Sequence, residues 1–413
     1  MSKLILSIEC LLLLCNSVVC AQSEYIGKTM GPIDYRVVIY DQIDDSNAIK
    51  TGIQNQLDEV NSLMSTYIDS SDVSKFNQAG KDEWVGVHPL TLQVVKRAIH
   101  FSELTDGSFD ITVGPAVNRW KFGPESAHSD VPVEDLLKFV GFKKLSIQDD
   151  PPAISKSHSK TQIDLSAIAK GFAVDHVSNW LAEQDFSNYM VEVGGEVVVK
   201  GETENGNWRI GIEQPSELFR KAGSVVSLTN LAMATSGDYR NFRIEDGKRI
   251  SHTIDPVTCR PIENSVASCS IVAADCLTAD AIATAVMVMG EENGLEFCRR
   301  NNLHLAVITR DATNSNSFAM QSTEMFPFDK SAVSVAVSPA QEASIWPTFI
   351  GAIVVFSLAI TGMAVGAIFN NRPITGSCGG IAATQNEDGS SNCSMCQKPV
   401  TDCPETNQEE VSS

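Results

Sequence analysis

Basic side chains are scarce in this sequence: 31 Lys and Arg stand against 51 Asp and Glu in 413 residues, a formal charge of −20. Nucleic-acid affinity rests on Lys and Arg neutralising phosphates, so a chain that repels polyanions overall is a poor duplex binder, although a local basic pocket stays open. Also missing are the GxxxxGK[ST] phosphate loop, the GxSxG nucleophile elbow and the HExxH zinc helix. Their absence removes the best-marked nucleotidase, hydrolase and metalloprotease readings. No internal repeat occurs, and 43% hydrophobic with 20% charged residues fits neither a collagenous, a coiled-coil nor a wholly disordered chain. At roughly 150 residues per domain the length allows two or three units.

Charge vanishes altogether between Glu342 and Arg372, where Trp346 to Phe369 supplies 24 mostly apolar positions. At about 1.5 Å per residue such a run crosses a hydrocarbon core of about 30 Å with some tilt, which predicts a transmembrane helix over residues 345–370. The N-terminus, Met1-Ser-Lys and then an apolar run to Val19-x-Ala21, predicts a signal peptide over residues 1–21, cut before Gln22, with acylation of Cys20 as the alternative processing. An exported domain then occupies 22–330 and an Ala/Ser/Val linker 331–344, leaving residues 371–413 on the cytoplasmic side with Arg372 just past the span. The expected location is a bacterial inner membrane with the large domain in the periplasm.

The eleven cysteines fall into three groups: three in the signal, Cys259, Cys269, Cys276 and Cys298 in the exported domain, and Cys378, Cys393, Cys396 and Cys403 in the tail. The middle four sit in apolar stretches and read as buried, unpaired thiols. The last four, in a reducing compartment, read as thiolate ligands for iron or Zn²⁺, against the plainer reading of a tail that binds nothing.

Within the exported domain Ile49, Ile53, Leu57, Val60, Leu63 and Met64 recur at helical spacing, as do Leu92, Val95 and Ile99. Strand-like runs follow at residues 189–199, 208–213, 225–228, 266–273 and 304–309. Helices and strands are partly segregated, so the class is α+β. Asp280 and Thr284 lie one turn apart on a predicted helix that Gly290 closes, which puts a carboxylate and a hydroxyl on one face. Hard oxygens so placed suit Mg²⁺. Equally, Asp280 reads as a first-turn acid on the helix dipole and Thr284 as a hydroxyl bonded back to the chain.

Eight stretches in order carry a more specific message: Lys28-Thr-Met-Gly31, Met64-Ser-Thr-Tyr67, Phe109-Asp110 with Gly114-Pro115, Ile163-Asp-Leu-Ser166, Val193-Gly-Gly195, Thr235-Ser-Gly-Asp-Tyr-Arg-Asn241, Ser251-His-x-Ile-Asp-Pro256, and Ala279-Asp280 with Thr284. Together, over about residues 26–328, they resemble the FAD:protein FMN transferase family (ApbE-like). That resemblance implies a single ApbE-like domain binding FAD through Met30, Tyr67, Ser108, Phe109, Asp110, Asp164, Lys170 and Ile254. It also implies Mg²⁺ held by the main-chain oxygen of Ala167 with Asp280 and Thr284. The implied reaction splits the FAD pyrophosphate, releases AMP and esterifies FMN to a threonine of a target protein. His252 is the candidate base, with catalytic Asp255 nearby in sequence, against the plainer reading of His252 as a structural histidine between strands. An FAD pyrophosphatase giving free FMN and AMP, or a non-catalytic flavin- and metal-binding assembly factor, are the alternatives. Cys259 stands where the family carries glycine after Asp-Pro-x-Thr.

Residues 346–405, a membrane run followed by Arg372-Pro-Ile-Thr-Gly-Ser-Cys-Gly-Gly380 and Cys393-Ser-Met-Cys396, resemble a second family, the NqrM-like maturation factor of the sodium-translocating NADH:quinone oxidoreductase. The resemblance implies iron delivery through the tail cysteines. The two likenesses converge on one respiratory complex, whose threonine-bearing subunits become the expected partners.

Overall fold

A computed structural model describes residues 22–215, 222–238, 241–245, 248–311 and 317–329, together with two short paired strands, Thr384–Gln385 and Ser391–Asn392. The chain divides into two units, Met1–Ser334 and Val335–Ser413. The signal peptide expected over 1–21, the linker expected over 331–344, the membrane helix expected over 345–370 and the tail cysteines Cys378, Cys393, Cys396 and Cys403 all lie outside the described residues. Among the described residues no helix is long and apolar enough to cross a membrane.

The chain opens with the hairpin β1 (Ser23–Thr29) and β2 (Ile33–Ile39), then helix α1 (Ser46–Met64). Helix α1 starts at Asp45, whose carboxylate accepts the amides of Asn47 and Ala48 and so satisfies two donors that have no partner inside the helix. It buries Ile49, Ile53, Leu57, Val60 and Met64, the stripe that helical spacing predicts. A peripheral layer follows: α2 (Asp72–Gln78), β3 (Val85–Gly86), α3 (Pro89–Leu104), α4 (Gly114–Arg119), α5 (Val133–Leu136), β4 (Leu145–Gln148) and β5 (Ala153–Lys156). The chain then enters α6 (Ala169–Glu183) and the strands β6 (Tyr189–Val193) and β7 (Glu196–Lys200). The single run expected over 189–199 is therefore a hairpin. Gly194 and Gly195 have φ of 63° and 108°, and paired positive φ is what a tight two-residue turn between right-twisted strands requires.

Next come the ribbon β8 (Trp208–Glu213) with β9 (Ala222–Leu228), strand β10 (Ala232–Gly237), the hairpin β11 (Phe242–Glu245) with β12 (Lys248–Ser251), and the short pair β13 (Ile254–Asp255) with β14 (Arg260–Pro261). The chain continues through β15 (Val266–Ala273), α7 (Cys276–Met289), α8 (Glu291–Arg300), β16 (His304–Arg310) and β17 (Phe318–Ser322). Among the described residues an antiparallel sheet runs β1-β2-β6-β7-β10-β15-β16-β17.

Successive side chains on a strand point to opposite faces, and here both faces are covered. Val37, Ile39, Val191, Val193 and Val198 pack with α1, α6 and α7, whereas Val38, Met190, Val197, Val199 and Met233 pack under Trp208, Ile212, Val226 and Leu228 of the ribbon. Double coverage explains why β15 is buried at every position and reads as an unbroken run rather than an alternating one. The architecture is α+β, as the segregated pattern predicts. Cys259, Cys269, Cys276 and Cys298 are free and buried.

Candidate active site

Three elements, α6, β7 and α7, meet at the base of a cleft of about 1480 Å³. A small-molecule site commonly occupies about 300–1,000 Å³, so this one has room for a dinucleotide. The approach of α6 to α7 depends on Gly171: a Cβ there would lie 2.4 Å from the carbonyl oxygen of Cys276 and 2.8 Å from Cβ of Asp280. The gap left by the missing side chain lets the Gly171 amide donate to Oδ2 of Asp280 at 2.9 Å. Asp280 is 2% exposed, and this main-chain donor fixes one of its oxygens.

Helix α7 is started by other acids. Asp275 caps it, accepting the amide and hydroxyl of Thr278, and Asp175 reaches across from α6 to accept the amides of Cys276 and Leu277 at 2.9 and 2.8 Å. Burial pushes the Asp175 carboxyl up to about 6, against the pull of those two amides. The first-turn reading of Asp280 therefore fails: it sits in the second turn, the capping work is done elsewhere, and its carboxylate faces the cleft. Thr284, one turn on, brings its hydroxyl 3.4 Å from that of Ser236 on β10.

Lys170 completes the floor. Its ammonium lies 2.6 Å from Oε1 of Glu196 and 3.7 Å from Oδ1 of Asp280. Burial alone would lower the lysine, but the two carboxylates outweigh it and hold the group above its usual range. Burial raises Glu196, with Lys170 opposing. Oε2 of Glu196 is buried and has no hydrogen-bond partner.

The walls are more open. Met30, with φ of 47°, and Tyr67, 70% exposed, stand on one side. Ser108, Phe109 and Asp110 line the cleft as well. Asp110 is nearly buried and offers no free oxygen: Oδ1 accepts the amide and hydroxyl of Thr112, and Oδ2 accepts the amide of Phe142. It shapes the wall. Asp164 folds onto the amide and hydroxyl of Ser166, on a segment that Asn77 pins through both the amide and carbonyl of Ile163.

His252 follows β12 at the rim. Its Nδ1 is 2.8 Å from the carbonyl oxygen of Asn241. A carbonyl only accepts, so Nδ1 carries the proton and Nε2 is the acceptor of the neutral ring. Burial lowers its pKa, which keeps that neutral form, and Phe122 approaches it edge-on at 6.3 Å. Asp255, near it in sequence, is engaged within its own turn: its oxygens accept the Val257 amide and the Thr258 hydroxyl, each at 2.8 Å. It builds the turn that ends at Cys259 and leaves His252 to be oriented by main chain.

The cleft thus gathers Met30, Tyr67, Ser108, Phe109, Asp110, Asp164, Ala167, Lys170, His252, Ile254, Asp280 and Thr284, and omits Asp255. Sequence reasoning assigned no role to Glu196, Ser236, Asn241 or Phe122. Glu196 directly follows the Gly194-Gly195 turn and Ser236 sits inside Thr235-Ser-Gly-Asp238, so both were within reach. Asn241 acts through its carbonyl and leaves no side-chain signal.

Among the described residues no three His, Cys, Asp or Glu side chains converge on one point. A cation on this floor would be held by Asp280, the Thr284 hydroxyl and the Ala167 main-chain oxygen. That set of few hard oxygens, with positions left for water or substrate phosphate, is the habit of Mg²⁺.

Residues 30–309 match the ApbE family. The chain belongs to the ApbE family. Its relatives include the FAD:protein FMN transferase of Vibrio cholerae, 42% identical over 312 residues that make up 74% of this chain and 92% of that protein. The Haemophilus influenzae FAD:protein FMN transferase is 37% identical over 311 residues, 73% of this chain and 89% of its own. Among solved structures, the flavin transferase ApbE from Vibrio cholerae superposes with a TM-score of 0.66 at 40% identity, covering 74% of this chain and 97% of that one. The apo Pseudomonas stutzeri flavinyl transferase ApbE gives 0.66 at 31% identity, with coverage of 74% and 95%. The ApbE match ends at Thr309 and leaves the apolar run over 346–369 and the Cys-containing tail outside it.

Proposed function

We propose that this chain transfers FMN from FAD to a threonine hydroxyl of a target flavoprotein, releasing AMP. The enzyme class is that of its relatives, FAD:protein FMN transferase. The observation that carries the reading is the pairing, in one cleft, of an acidic floor at Asp280 and Thr284 with a neutral imidazole at His252.

In the step itself the threonine oxygen attacks the phosphorus of the FMN half. The new O–P bond forms as the bridging P–O bond breaks, and AMP leaves with that electron pair. Nε2 of His252 takes the threonine proton, because Nδ1 is already committed to Asn241. Tyr67 offers an exposed aromatic face to a planar ring, and Lys170 brings positive charge to the phosphates. Asp280, the Thr284 hydroxyl and the Ala167 main-chain oxygen would hold Mg²⁺, which would neutralise the charge that develops on the phosphate oxygens. Quantifying products tests the scheme: AMP should appear mole for mole with protein-bound flavin, and AMP matched instead by free FMN would make the protein a pyrophosphatase.

The wider setting rests on sequence. The export signal and apolar span support a periplasmic catalytic domain tethered to an inner membrane. The NqrM-like tail supports iron handling through Cys378, Cys393, Cys396 and Cys403 for a sodium-translocating NADH:quinone oxidoreductase, whose threonine-bearing subunits are the proposed targets. Metal analysis of anaerobically purified protein should show iron that a Cys393→Ser/Cys396→Ser variant lacks; equal content in both removes the ligand role.

A further inference from the structure

The floor of the cleft holds one ammonium between two buried carboxylates. Lys170 sits 2.6 Å from Glu196 and 3.7 Å from Asp280, so it bonds to the first and only faces the second. Glu196 is 2% exposed and spends one oxygen on the lysine, while the other has no partner. A buried acid left half satisfied is costly, so its presence on the cleft floor calls for a reason.

The reason lies in what Lys170 would do otherwise. It occupies the first turn of α6, and α6 is locked against α7 at Gly171, so the ammonium cannot retreat far from Asp280. Of the two Asp280 oxygens, Oδ2 is held by the Gly171 amide, which leaves Oδ1 as the one open to a cation. Oδ1 is also the one Lys170 faces. An ammonium without Glu196 would close on Oδ1 and occupy the ligand position with a monovalent charge.

We propose that Glu196 is a positioning residue that draws Lys170 away from Asp280 and so keeps Asp280 available to a divalent cation. This rests on the reading of Asp280 as a Mg²⁺ ligand. With Glu196 in place, the floor carries two carboxylates and one ammonium, a net negative charge that attracts a divalent cation. Glu196 acts through Lys170, touching neither the cation nor the reacting phosphate.

Mn²⁺ binding to the purified full chain, followed by electron paramagnetic resonance of the free ion, separates this role from others. Changes around metal ligands commonly cost roughly 10- to 100-fold in affinity, and Glu196→Gln should weaken Mn²⁺ binding by that order. Adding Lys170→Met to Glu196→Gln should restore binding to near the wild-type value, since the competing ammonium is gone. Melting curves with and without Mn²⁺ should follow the same order, the ion raising the Tm of the wild type and the double variant but not of Glu196→Gln. Should Glu196→Gln not fold, Glu196→Asp, which keeps the charge but shortens the reach to Lys170, takes its place with the same expected order. Unchanged affinity in the single variant would overturn the proposal. So would a double variant that stays weak, which would make Glu196 a ligand in its own right. Asp280→Ala is the control on the underlying reading: if it binds Mn²⁺ as the wild type does, the metal site itself is misplaced, whatever Glu196 does.

Discussion

The floor and the rim of the cleft are built on opposite principles. On the floor, Asp280 and Glu196 are each 2% exposed, and a main-chain amide and a lysine fix their geometry. On the rim, Tyr67 is 70% exposed, and His252, half-buried, hangs from a single carbonyl beside Phe122. Buried, preorganised charge suits the phosphate step, where charge develops in a fixed place and water weakens every interaction. An open rim suits a site that must admit a nucleotide and then a protein side chain. The difference teaches that changes to the floor should act on the chemistry, and changes to the rim on proton transfer and access.

The largest expected effect comes from the floor. Asp280→Ala should lower flavin transfer by roughly 1,000-fold, the loss of several kcal/mol of charge stabilisation, while the circular dichroism of the fold stays unchanged. Transfer at near the wild-type rate would break the contrast. On the rim, His252→Asn should cost about 100-fold in kcat, the lower end of the usual span for a general base, with FAD affinity close to normal.

The pH profile sharpens the same point. Burial lowers the His252 pKa, so the neutral, proton-accepting form persists to more acid pH than an ordinary imidazole allows. Activity should therefore rise with pH through a value below the ordinary histidine range and be level by neutrality; a rise centred above that range would exclude His252 as the base. Gly171→Ala tests the floor's packing. Its Cβ would meet the Cys276 carbonyl oxygen at 2.4 Å, so α6 and α7 must part, at about 1–3 kcal/mol of stability and with loss of the Asp280 amide contact. Urea unfolding measures the first effect and Mn²⁺ affinity the second.

The smallest effect concerns the turn beyond the rim. Cys259 has φ of 55°, a left-handed backbone that favours glycine, yet its side chain is fully buried among Ala116, Leu136, Phe139, Val140 and Ile254. Cys259→Gly relieves about 1–2 kcal/mol of backbone strain and removes a buried sulfur, so the net shift should fall within about 1 kcal/mol by urea unfolding. A larger loss would show that packing, not backbone, dominates there.

Legibility in the sequence followed the same division. Helix α1 and strand β15 were plain because their burial is a local property of spacing and composition. Asp280 and Thr284 were legible because both lie on one helix with one period. The hairpin at Gly194 was read as one strand, since an apolar run on either side of a two-residue turn looks continuous. Asp255 was grouped with His252 because they are near in sequence, while its carboxylate oxygens are taken up by Val257 and Thr258 in the turn it builds. Glu196 and the Asn241 carbonyl were missed because their work exists only where separate elements meet. A lone acid after a glycine turn, or a main-chain oxygen, carries no periodic signal.

Covalent labelling decides the central claim. The full chain is incubated with FAD, Mg²⁺ and a candidate flavoprotein, and the products are run on a denaturing gel under illumination that excites flavin. The account predicts a fluorescent band at the target, lost when its acceptor threonine is replaced by alanine and lost with Asp280→Ala of this chain. Fluorescence confined to the free nucleotide front, with AMP still released, would contradict it.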